Sequence, residues 1–313
     1  MSGPTGTPGP ARAATIVDVA RAAGVSRQTV TRAVNDMAGI SAATRERVLA
    51  AARELNYHPS RFGRGLVKPS ARTLGLLVGD LTNPYYADLA STVLRLAADR
   101  GWNVVMAEPG SVADLVGGAD AVVGFTGLAL DRPGPGAPNL PVVEIDPPRV
   151  QPGHGRVELE RATATGDAVR HLLGRGVRRP VVMDLPGSTS RGRAFTAAFR
   201  AAGVEPVAAP REAGWADLRD LDPDALVAFN DLDGFRLLRD LARDGVGVPE
   251  RVKVVGVDGL AVGEFVTPRL STLAIDLAEV ARAALDLVVE LSERRAGDPV
   301  RVVPHRFVAR DST

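Results

Sequence analysis

The chain has 313 residues, of which 45% are hydrophobic, with no cysteine and a net charge of +1. This length is sufficient for two or three compact units, each with its own core. The lack of cysteine excludes a disulfide framework and thiol chemistry. No apolar run approaches the roughly 18 residues of a membrane span, so we expect a cytoplasmic protein.

The small net charge hides an uneven distribution. The segment from Thr15 to Arg72 holds ten basic and four acidic residues, whereas the rest of the chain beyond Arg72 holds 27 basic and 33 acidic residues. A basic segment on an acidic body predicts a polyanionic partner for that segment alone. Residues 1–14 are rich in glycine, proline and alanine, and we expect them to form a disordered tail.

Three helices are predicted in the basic segment. Thr15 and Asp18 have the spacing of a capping box at the start of "TIVDVARAAG", which Gly24 ends. Ser26 begins a second helix, "SRQTVTRAVN", and Ser41 a third, "SAATRERVLAAARELNY". Two helices joined by a short glycine-containing turn predict a helix-turn-helix unit over residues 15–58. The expected core residues are Ile16, Val19, Ala20 and Ala23 of the first helix, Val30 and Ala33 of the second, and Val48, Leu49, Ala52 and Leu55 of the third.

The second helix carries side chains that suit DNA. Arg27, Gln28 and Arg32 are predicted at its open end or outer face, where arginine can recognise guanine and glutamine adenine through paired hydrogen bonds. Hydroxyls on the same segment can hold phosphates. The alternative is a solvated surface helix in an ordinary three-helix bundle.

The motifs "TIVDVARAAGVSRQTVTRAVN" and "ISAATRERVLAAARELNYHPS" resemble the lactose/galactose-repressor family of bacterial transcription regulators, and the resemblance continues to "ARDST" at the C-terminus. The resemblance implies a homodimer on a pseudo-palindromic, double-stranded operator. It also implies a hinge and a two-lobed effector-binding core related to periplasmic sugar-binding proteins. The expected DNA-binding residues are Thr15, Ser26, Arg27, Gln28, Thr29, Thr31, Arg32, Asn35, Tyr57, Arg61 and Leu66.

Residues 59–72 stand where the family has its hinge. The resemblance implies that this segment folds into a helix on operator DNA and that Leu66 wedges into the minor groove. Gly63 and Gly65 depart from the family pattern, and each is expected to cost a helix about 1 kcal/mol relative to alanine. An ordinary flexible linker is the alternative.

Residues 73–313 alternate between apolar strands and helices. The strands "TLGLLVGD", "WNVVMAE", "ADAVVGF" and "LPVVEID" predict one lobe, and "RPVVMDLP", "ALVAFND" and "VKVVGVD" a second. We place the long helix "IDLAEVARAALDLVVELSERRAG" at the end of the second lobe. The predicted fold is an all-α helix-turn-helix headpiece followed by an α/β core of two doubly wound lobes.

Polar side chains follow several of these strands, where ligands of doubly wound sheets bind. Carboxylates, an amide and an arginine at such a position suit the hydroxyl groups of a sugar or polyol. Taken singly, each is equally explained as a cap or turn former. Val177 and Gly259 depart from the family pattern, which has a histidine and an acid there. The resemblance implies that the effector-binding residues are Tyr85, Tyr86, Asp146, Arg191, Asn230 and Asp258.

We expect a DNA-binding regulator, most simply a repressor, that associates with the nucleoid when it is bound to DNA. We do not expect it to be an enzyme or to need a cofactor or metal. No nucleophile or phosphate-loop motif is present. The histidines, His58, His154, His171 and His305, lack metal-ligand spacing. The alternatives are a regulator whose pocket has lost its small-molecule effector and a sugar-binding protein without a regulatory role.

Overall fold

The computed structural model describes residues 16–34, 37–55, 72–108, 115, 118–125, 140–187, 189–293 and 298–313. The chain divides into two compact units, Met1–Arg72 and Thr73–Thr313. The predicted tail and all of the predicted hinge except Arg72 lie outside the described residues. The same holds for the predicted DNA-binding residues Thr15, Asn35, Tyr57, Arg61 and Leu66.

Three helices form the described part of the N-terminal unit: α1 Ile16–Ala23, α2 Arg27–Val34 and α3 Ala42–Glu54. Gly24 ends α1 with a φ of 64°, a conformation that glycine adopts without a steric penalty. Two of the predicted caps are present, because Ser26 Oγ accepts from the amide of Thr29 at 3.1 Å and Ser41 Oγ from that of Thr44 at 3.2 Å. The predicted capping box at Thr15 lies outside the described residues. The chain therefore makes the helix, turn and helix that its spacing predicts.

Small side chains fill the core of this unit. Leu49 and Leu55, which we expected inside, are 37% and 38% exposed, and Ala51 is buried instead. Leu49 lies about 100° around α3 from buried Val48, and Leu55 follows the last helical residue. The prediction was wrong at these two positions. Among the described side chains, which do not include that of predicted core residue Ile16, the buried hydrophobic residues are Val19, Ala20, Ala23, Val30, Ala33, Val48, Ala51 and Ala52.

The first lobe of the larger unit is built on a six-stranded sheet of order β11-β5-β4-β3-β1-β2. Helices α4 Pro84–Asp99 and α9 Leu277–Ser292 belong to this lobe. The strands are β1 Arg72–Leu77, β2 Trp102–Ala107, β3 Ala121–Gly124, β4 Val142–Ile145, β5 Gly155–Glu160 and β11 Val300–Pro304.

The second lobe has a six-stranded sheet of order β12-β10-β9-β8-β6-β7, in which β12 runs antiparallel to β10. Its helices are α5 Ala162–Gly174, α6 Ser190–Ala201, α7 Trp215–Leu218 and α8 Asp231–Arg243, with 3₁₀ turns at Arg219–Leu221 and Ala261–Glu264. The strands are β6 Pro180–Asp184, β7 Val207–Pro210, β8 Ala225–Val227, β9 Lys253–Asp258, β10 Ser271–Ala274 and β12 Arg306–Val308.

The chain crosses between the lobes three times, after β5, after β10 and after β11. Because of the second crossing, α9 packs on the first lobe, where Val280, Ala284 and Leu287 share a core with Leu74 and Val143. Our placement of this helix in the second lobe was therefore wrong. Helix periodicity predicted a helix in this stretch, although the structure has it only over Leu277–Ser292, and periodicity carries no information about which sheet the helix covers.

Candidate functional site

Helix α2 has a buried side and an outer side. Val30 is fully buried and Ala33 is 3% exposed, and both pack against α1 and α3. Arg27, Gln28 and Arg32 are exposed. The structure therefore places all three predicted base-reading side chains on the surface, within one short helix whose anchors are small.

The hydroxyl groups of this helix already form local hydrogen bonds. The hydroxyls of Ser26 and Thr29 lie 2.9 Å apart, and Thr31 Oγ1 donates to the carbonyl of Arg27 at 3.0 Å. These contacts hold the first turn of α2 together. Each of these hydroxyls therefore has a structural role, and a contact with a DNA phosphate would be a second role.

Two arginines of α3 brace the turns around α2. Arg47 Nε donates to the carbonyl of Ala23 at 3.2 Å, at the end of α1. Arg45 Nη2 donates to the carbonyl of Met37 at 2.6 Å. The basic charge of the headpiece is thus partly structural, so the charge count overstates how many arginines are available to DNA.

In the larger unit, the strand ends of the two lobes meet around one cavity of about 370 Å³. This volume lies at the lower end of the range for small-molecule sites. The structure adds Arg211 and Phe229 to the residues that the sequence singled out, which include the strand-end residue Asp80. All six predicted effector residues line this cavity: Tyr85, Tyr86, Asp146, Arg191, Asn230 and Asp258.

Asp258, at the end of β9, is the most deeply buried carboxylate of this cavity. It is 4% exposed, and its φ of 124° is in the region that favours glycine. Arg191 Nη2 lies 3.4 Å from Asp258 Oδ1. Burial raises the pKa of the Asp258 carboxyl to about 7, and the Arg191 guanidinium acts in the opposite direction. Near neutral pH this side chain can therefore donate as well as accept a hydrogen bond.

The ring of Phe229 contacts two arginines of the second lobe. The guanidinium carbon of Arg191 is 5.2 Å from the ring centroid and that of Arg211 is 4.6 Å from it. Arg211 Nε also donates to Asp233 Oδ2 at 2.8 Å. These contacts fix both guanidinium groups, which present N–H donors at the cavity.

Asn230 and its neighbour Asp231 have structural partners. Asn230 Oδ1 accepts from the amide of Asp233 at 2.9 Å and so caps α8. Asp231 is fully buried and accepts from Thr272 Oγ1 at 2.6 Å and the amide of Leu260 at 2.7 Å. The oxygen of Asn230 is thus committed to a cap, so its amide nitrogen is the group that suits a ligand.

Three aromatic rings form the first-lobe side of the cavity and the packing behind it. The centroid of Tyr86 is 5.4 Å from that of Tyr85 and 5.2 Å from that of Phe125, both edge-to-face. Burial raises the pKa of both tyrosines, so their hydroxyls stay protonated at neutral pH. They provide an apolar surface with phenolic donors, which suits a sugar ring.

Similarity to known proteins agrees with this architecture. The model of bacterial regulatory proteins of the lacI family matches residues 15–60, and a periplasmic binding protein-like domain matches residues 169–313. The transcriptional regulator CelR of Thermobifida fusca is 30% identical, with 93% of this chain and 96% of its own length covered. This chain belongs to the LacI family. The repressor CytR of Escherichia coli (strain K12) is 28% identical, with 96% of each chain covered.

A solved structure extends the comparison to the larger unit. A LacI-family regulator from Arthrobacter sp. FB24, in complex with lactose, is 32% identical, with a TM-score of 0.71. The match covers 78% of this chain and all of that one. The predicted family and fold class are confirmed. Members of the LacI family are transcription regulators rather than enzymes, so the helix-turn-helix unit is a DNA-binding domain.

The two departures from the family pattern have local explanations in this LacI-family chain. A Cβ at Gly259 would lie 2.5 Å from Ala274 Cβ, and the residue has a φ of 78°, so an acidic side chain does not fit there. Val177 is fully buried in the core of the second lobe and does not line the cavity.

Besides Arg211, reasoning from the sequence missed a second charged residue, which lies beside the cavity. Arg161 Nη2 lies 2.7 Å from Asp146 Oδ2, and Arg161 Nη1 donates to Ser190 Oγ at 3.1 Å. The available signal was the position of an arginine directly after "VELE", where a strand ends. That segment was not assigned as a strand, so the arginine was not considered.

Within the part of the chain that the structure describes, no helix is both long and apolar enough to cross a membrane. The described residues likewise contain no group of three or more histidine, aspartate and glutamate side chains placed to hold a metal ion.

Proposed function

We propose that this LacI-family regulator is a repressor whose operator affinity is set by a neutral sugar or related polyol in the cavity between its lobes. The convergence of six predicted residues on this one cavity is the observation that carries the proposal. The Arthrobacter relative, whose solved complex contains lactose, supports the ligand class. The name of the Escherichia coli relative, a transcriptional repressor, supports the direction of regulation.

The ion pairs around the cavity favour a neutral ligand. Arg211 faces Asp233, and Arg161 faces Asp146. Arg191 lies beside Asp258, whose carboxyl is partly protonated near neutral pH, and the carboxylate of Asp80 is also part of the lining. Because these guanidinium groups already have carboxylate partners, the lining offers donors and acceptors in balance rather than an excess of positive charge. Sugar hydroxyls, which both donate and accept, match such a surface better than a phosphate does.

We assign DNA recognition to the headpiece of residues 15–58 and the hinge of 59–72, and effector binding and dimerisation to residues 73–313. The exposed arginines and glutamine of α2 would read base edges, and Leu66 would wedge the centre of the operator. A helix as short as α2 reaches few base pairs, so two copies on a pseudo-palindromic operator provide the required specificity. This partner places the protein in the cytoplasm and at the nucleoid.

A catalytic role receives no support from the described cavity. Asp146 pairs with Arg161, and Asp258 faces Arg191. Asp146 is held by Arg161 as a ligand acceptor, so it is not free to act with Asp258 as a pair of carboxyl groups for acid–base chemistry. We therefore propose that the protein is not an enzyme and needs no cofactor.

The effector can be identified by a thermal-shift screen of the full chain against neutral sugars, polyols, nucleosides and sugar phosphates. A ligand at about 100 times its dissociation constant should stabilise the folded protein by about 2.7 kcal/mol, which raises the melting temperature by roughly 5–10 °C. We expect a neutral sugar or polyol to give this shift and sugar phosphates to give none.

Two variants locate the response. Arg191→Ala removes a cavity donor and should abolish the shift, whereas Arg156→Gln changes an arginine of β5 that does not line this cavity and should preserve it. A shift that survives Arg191→Ala would place the ligand elsewhere. No shift across the panel would favour a regulator without a small-molecule effector. A shift without any effect on operator affinity would favour a sugar-binding protein that lacks a regulatory role.

A further inference from the structure

Arg161 occupies the first crossing between the lobes, between β5 and α5. It stands at the cap position of α5, but its side chain makes no capping hydrogen bond. Glu160 takes that role, because its Oε1 accepts from the amides of Ala162 at 2.5 Å and Thr163 at 3.1 Å. The Arg161 side chain is therefore not required for the start of the helix and can serve contacts elsewhere.

The guanidinium group of Arg161 contacts both lobes at once. Its Nη2 lies 2.7 Å from Asp146 Oδ2, directly after β4 in the first lobe. Its Nη1 donates at 3.1 Å to Ser190 Oγ, at the first residue of α6 in the second lobe. Asp146 and Ser190 both line the cavity. One side chain thus joins two ligand-facing groups that belong to different lobes.

This link is buried. Arg161 is 8% exposed, and its Nε is enclosed without a hydrogen-bond partner. Burying an unpaired guanidinium costs free energy, so Arg161 cannot exchange its contacts with Asp146 and Ser190 for contacts with water without such a cost. Surface arginine pairs, by contrast, contribute little. Arg156, which lies on β5 itself, pairs at 3.5 Å with Glu158 of its own lobe.

The third crossing between the lobes, which follows β11, is hydrogen-bonded to the residue before Arg161. His305 is 6% exposed, and its Nδ1 donates to the carbonyl of Glu160 at 3.0 Å, while its amide donates to the same carbonyl at 2.7 Å. Burial lowers the pKa of His305 to about 4, so the ring is neutral at neutral pH and adds no positive charge beside Arg161. These two hydrogen bonds hold the backbone next to Arg161 in place. A change in the angle between the lobes therefore moves Asp146 and Ser190 relative to the Arg161 guanidinium.

We propose that Arg161 is a positioning residue that couples the cavity to the angle between the lobes. It holds the Asp146 carboxylate towards the cavity and ties it to the second lobe through Ser190. A ligand hydroxyl that bonds to either partner changes this link, and the interlobe angle changes with it. The ligand-dependent half of this inference rests on the proposed function, whereas the link itself exists without ligand.

The test is the distribution of interlobe distances in the full chain, measured by pulsed electron spin resonance without ligand or DNA. The chain has no cysteine, so Leu81→Cys and Glu212→Cys give one label on each lobe. Leu81 is 50% exposed and Glu212 is also exposed, and each is the neighbour of a cavity residue. Dilution with unlabelled protein removes signals between protomers.

Arg161→Gln is expected to change the ratio of open molecules, with a long interlobe distance, to closed molecules, with a short one, by about tenfold or more. The free energy of hydrogen bonds to charged groups is large enough for a change of this size. Ser190→Ala removes only the second-lobe partner and should change the ratio in the same direction without leaving the Asp146 carboxylate unpaired. Arg161→Lys keeps the positive charge but has one nitrogen in place of the two that contact Asp146 and Ser190. It should therefore change the ratio by the same amount as Ser190→Ala. Arg156→Gln should match the parent.

Unchanged distributions in both Arg161→Gln and Ser190→Ala would overturn the inference, and so would an equal change in Arg156→Gln. Circular dichroism of each variant shows whether it is folded, and Ser190→Ala decides the question if Arg161→Gln is not. Since no effector is used, an empty thermal-shift screen would count against the proposed function while leaving this result standing.

Discussion

Replacing Val30 by aspartate is expected to abolish operator binding while the larger unit stays folded. Val30 has no exposed surface, and the core around it consists of small side chains. A carboxylate buried there without a partner costs several kcal/mol, which is a large share of the stability of a unit this small. A headpiece that unfolds cannot present Arg27 and Gln28 to the major groove. Operator affinity should fall by roughly 100-fold or more.

The matched control is Val17→Asp, because Val17 lies on α1 of the same unit and is 42% exposed. Both variants lower the charge of the headpiece equally, so their difference isolates burial. Fluorescence anisotropy with a labelled operator duplex gives the affinity, and thermal melting of the larger unit shows that it is intact. Equal operator affinity for the two variants would mean that Val30 is not a core residue of the reading unit.

Replacing Asp258 by asparagine is expected to change how stability depends on pH. The pKa of this carboxyl is about 7 in the folded protein and 3.8 in the unfolded chain, so the folded state holds a proton that the unfolded state releases. The stabilisation is complete below about pH 4 and is lost as the pH rises through 7. This loss amounts to about 4 kcal/mol for the parent relative to Asp258→Asn, which does not titrate.

The measurement is urea unfolding of parent and variant between pH 4 and 8. His305, whose pKa is lowered to about 4, acts in the opposite direction in both proteins and cancels in the difference. Asp80→Asn is the control, since this exposed carboxyl has a pKa below its ordinary value through hydrogen bonds from Thr82. Parallel curves for the parent and Asp258→Asn would contradict the assignment of a protonated carboxyl to the cavity.

The parts of the fold that local patterns predict are those with strong signals. Ser26 and Ser41 cap the helices that they were expected to cap, because a hydroxyl at a helix start acts over only three residues. The strands ending at Asp146 and Asp258 were recognised from continuous β-branched runs, which are typical of parallel strands buried on both faces.

Elements with weaker patterns were not found. Strand β5 alternates apolar and charged residues, β11 carries an arginine, and β7 is only four residues long and ends in proline, so none has the long β-branched run of a buried strand. Strands β10 and β12 are only four and three residues long. Their places are determined by pairing with distant parts of the chain, such as Val300 with Arg156, which a local pattern cannot show.

The cavity was predicted in outline, and its electrostatics were not. Residues at the ends of recognised strands could be listed, but the partner of each charge depends on the packing of two lobes. Arg211 follows unassigned β7, and Arg161 follows unassigned β5. Missing those strands therefore also hid the ion pairs that make the cavity nearly neutral, which bears directly on the class of ligand.

Sequence-specific DNA binding by α2 is the central claim of this account. Selection from a randomised duplex library followed by sequencing tests it, with the full-length parent and Arg27→Ala compared at the same salt concentration. We expect the parent to enrich a pseudo-palindromic motif and Arg27→Ala to lose preference at one symmetric pair of positions, with a cost of about 1–3 kcal/mol there. The absence of an enriched motif, or a uniform loss of affinity with unchanged preference, would contradict base reading by Arg27.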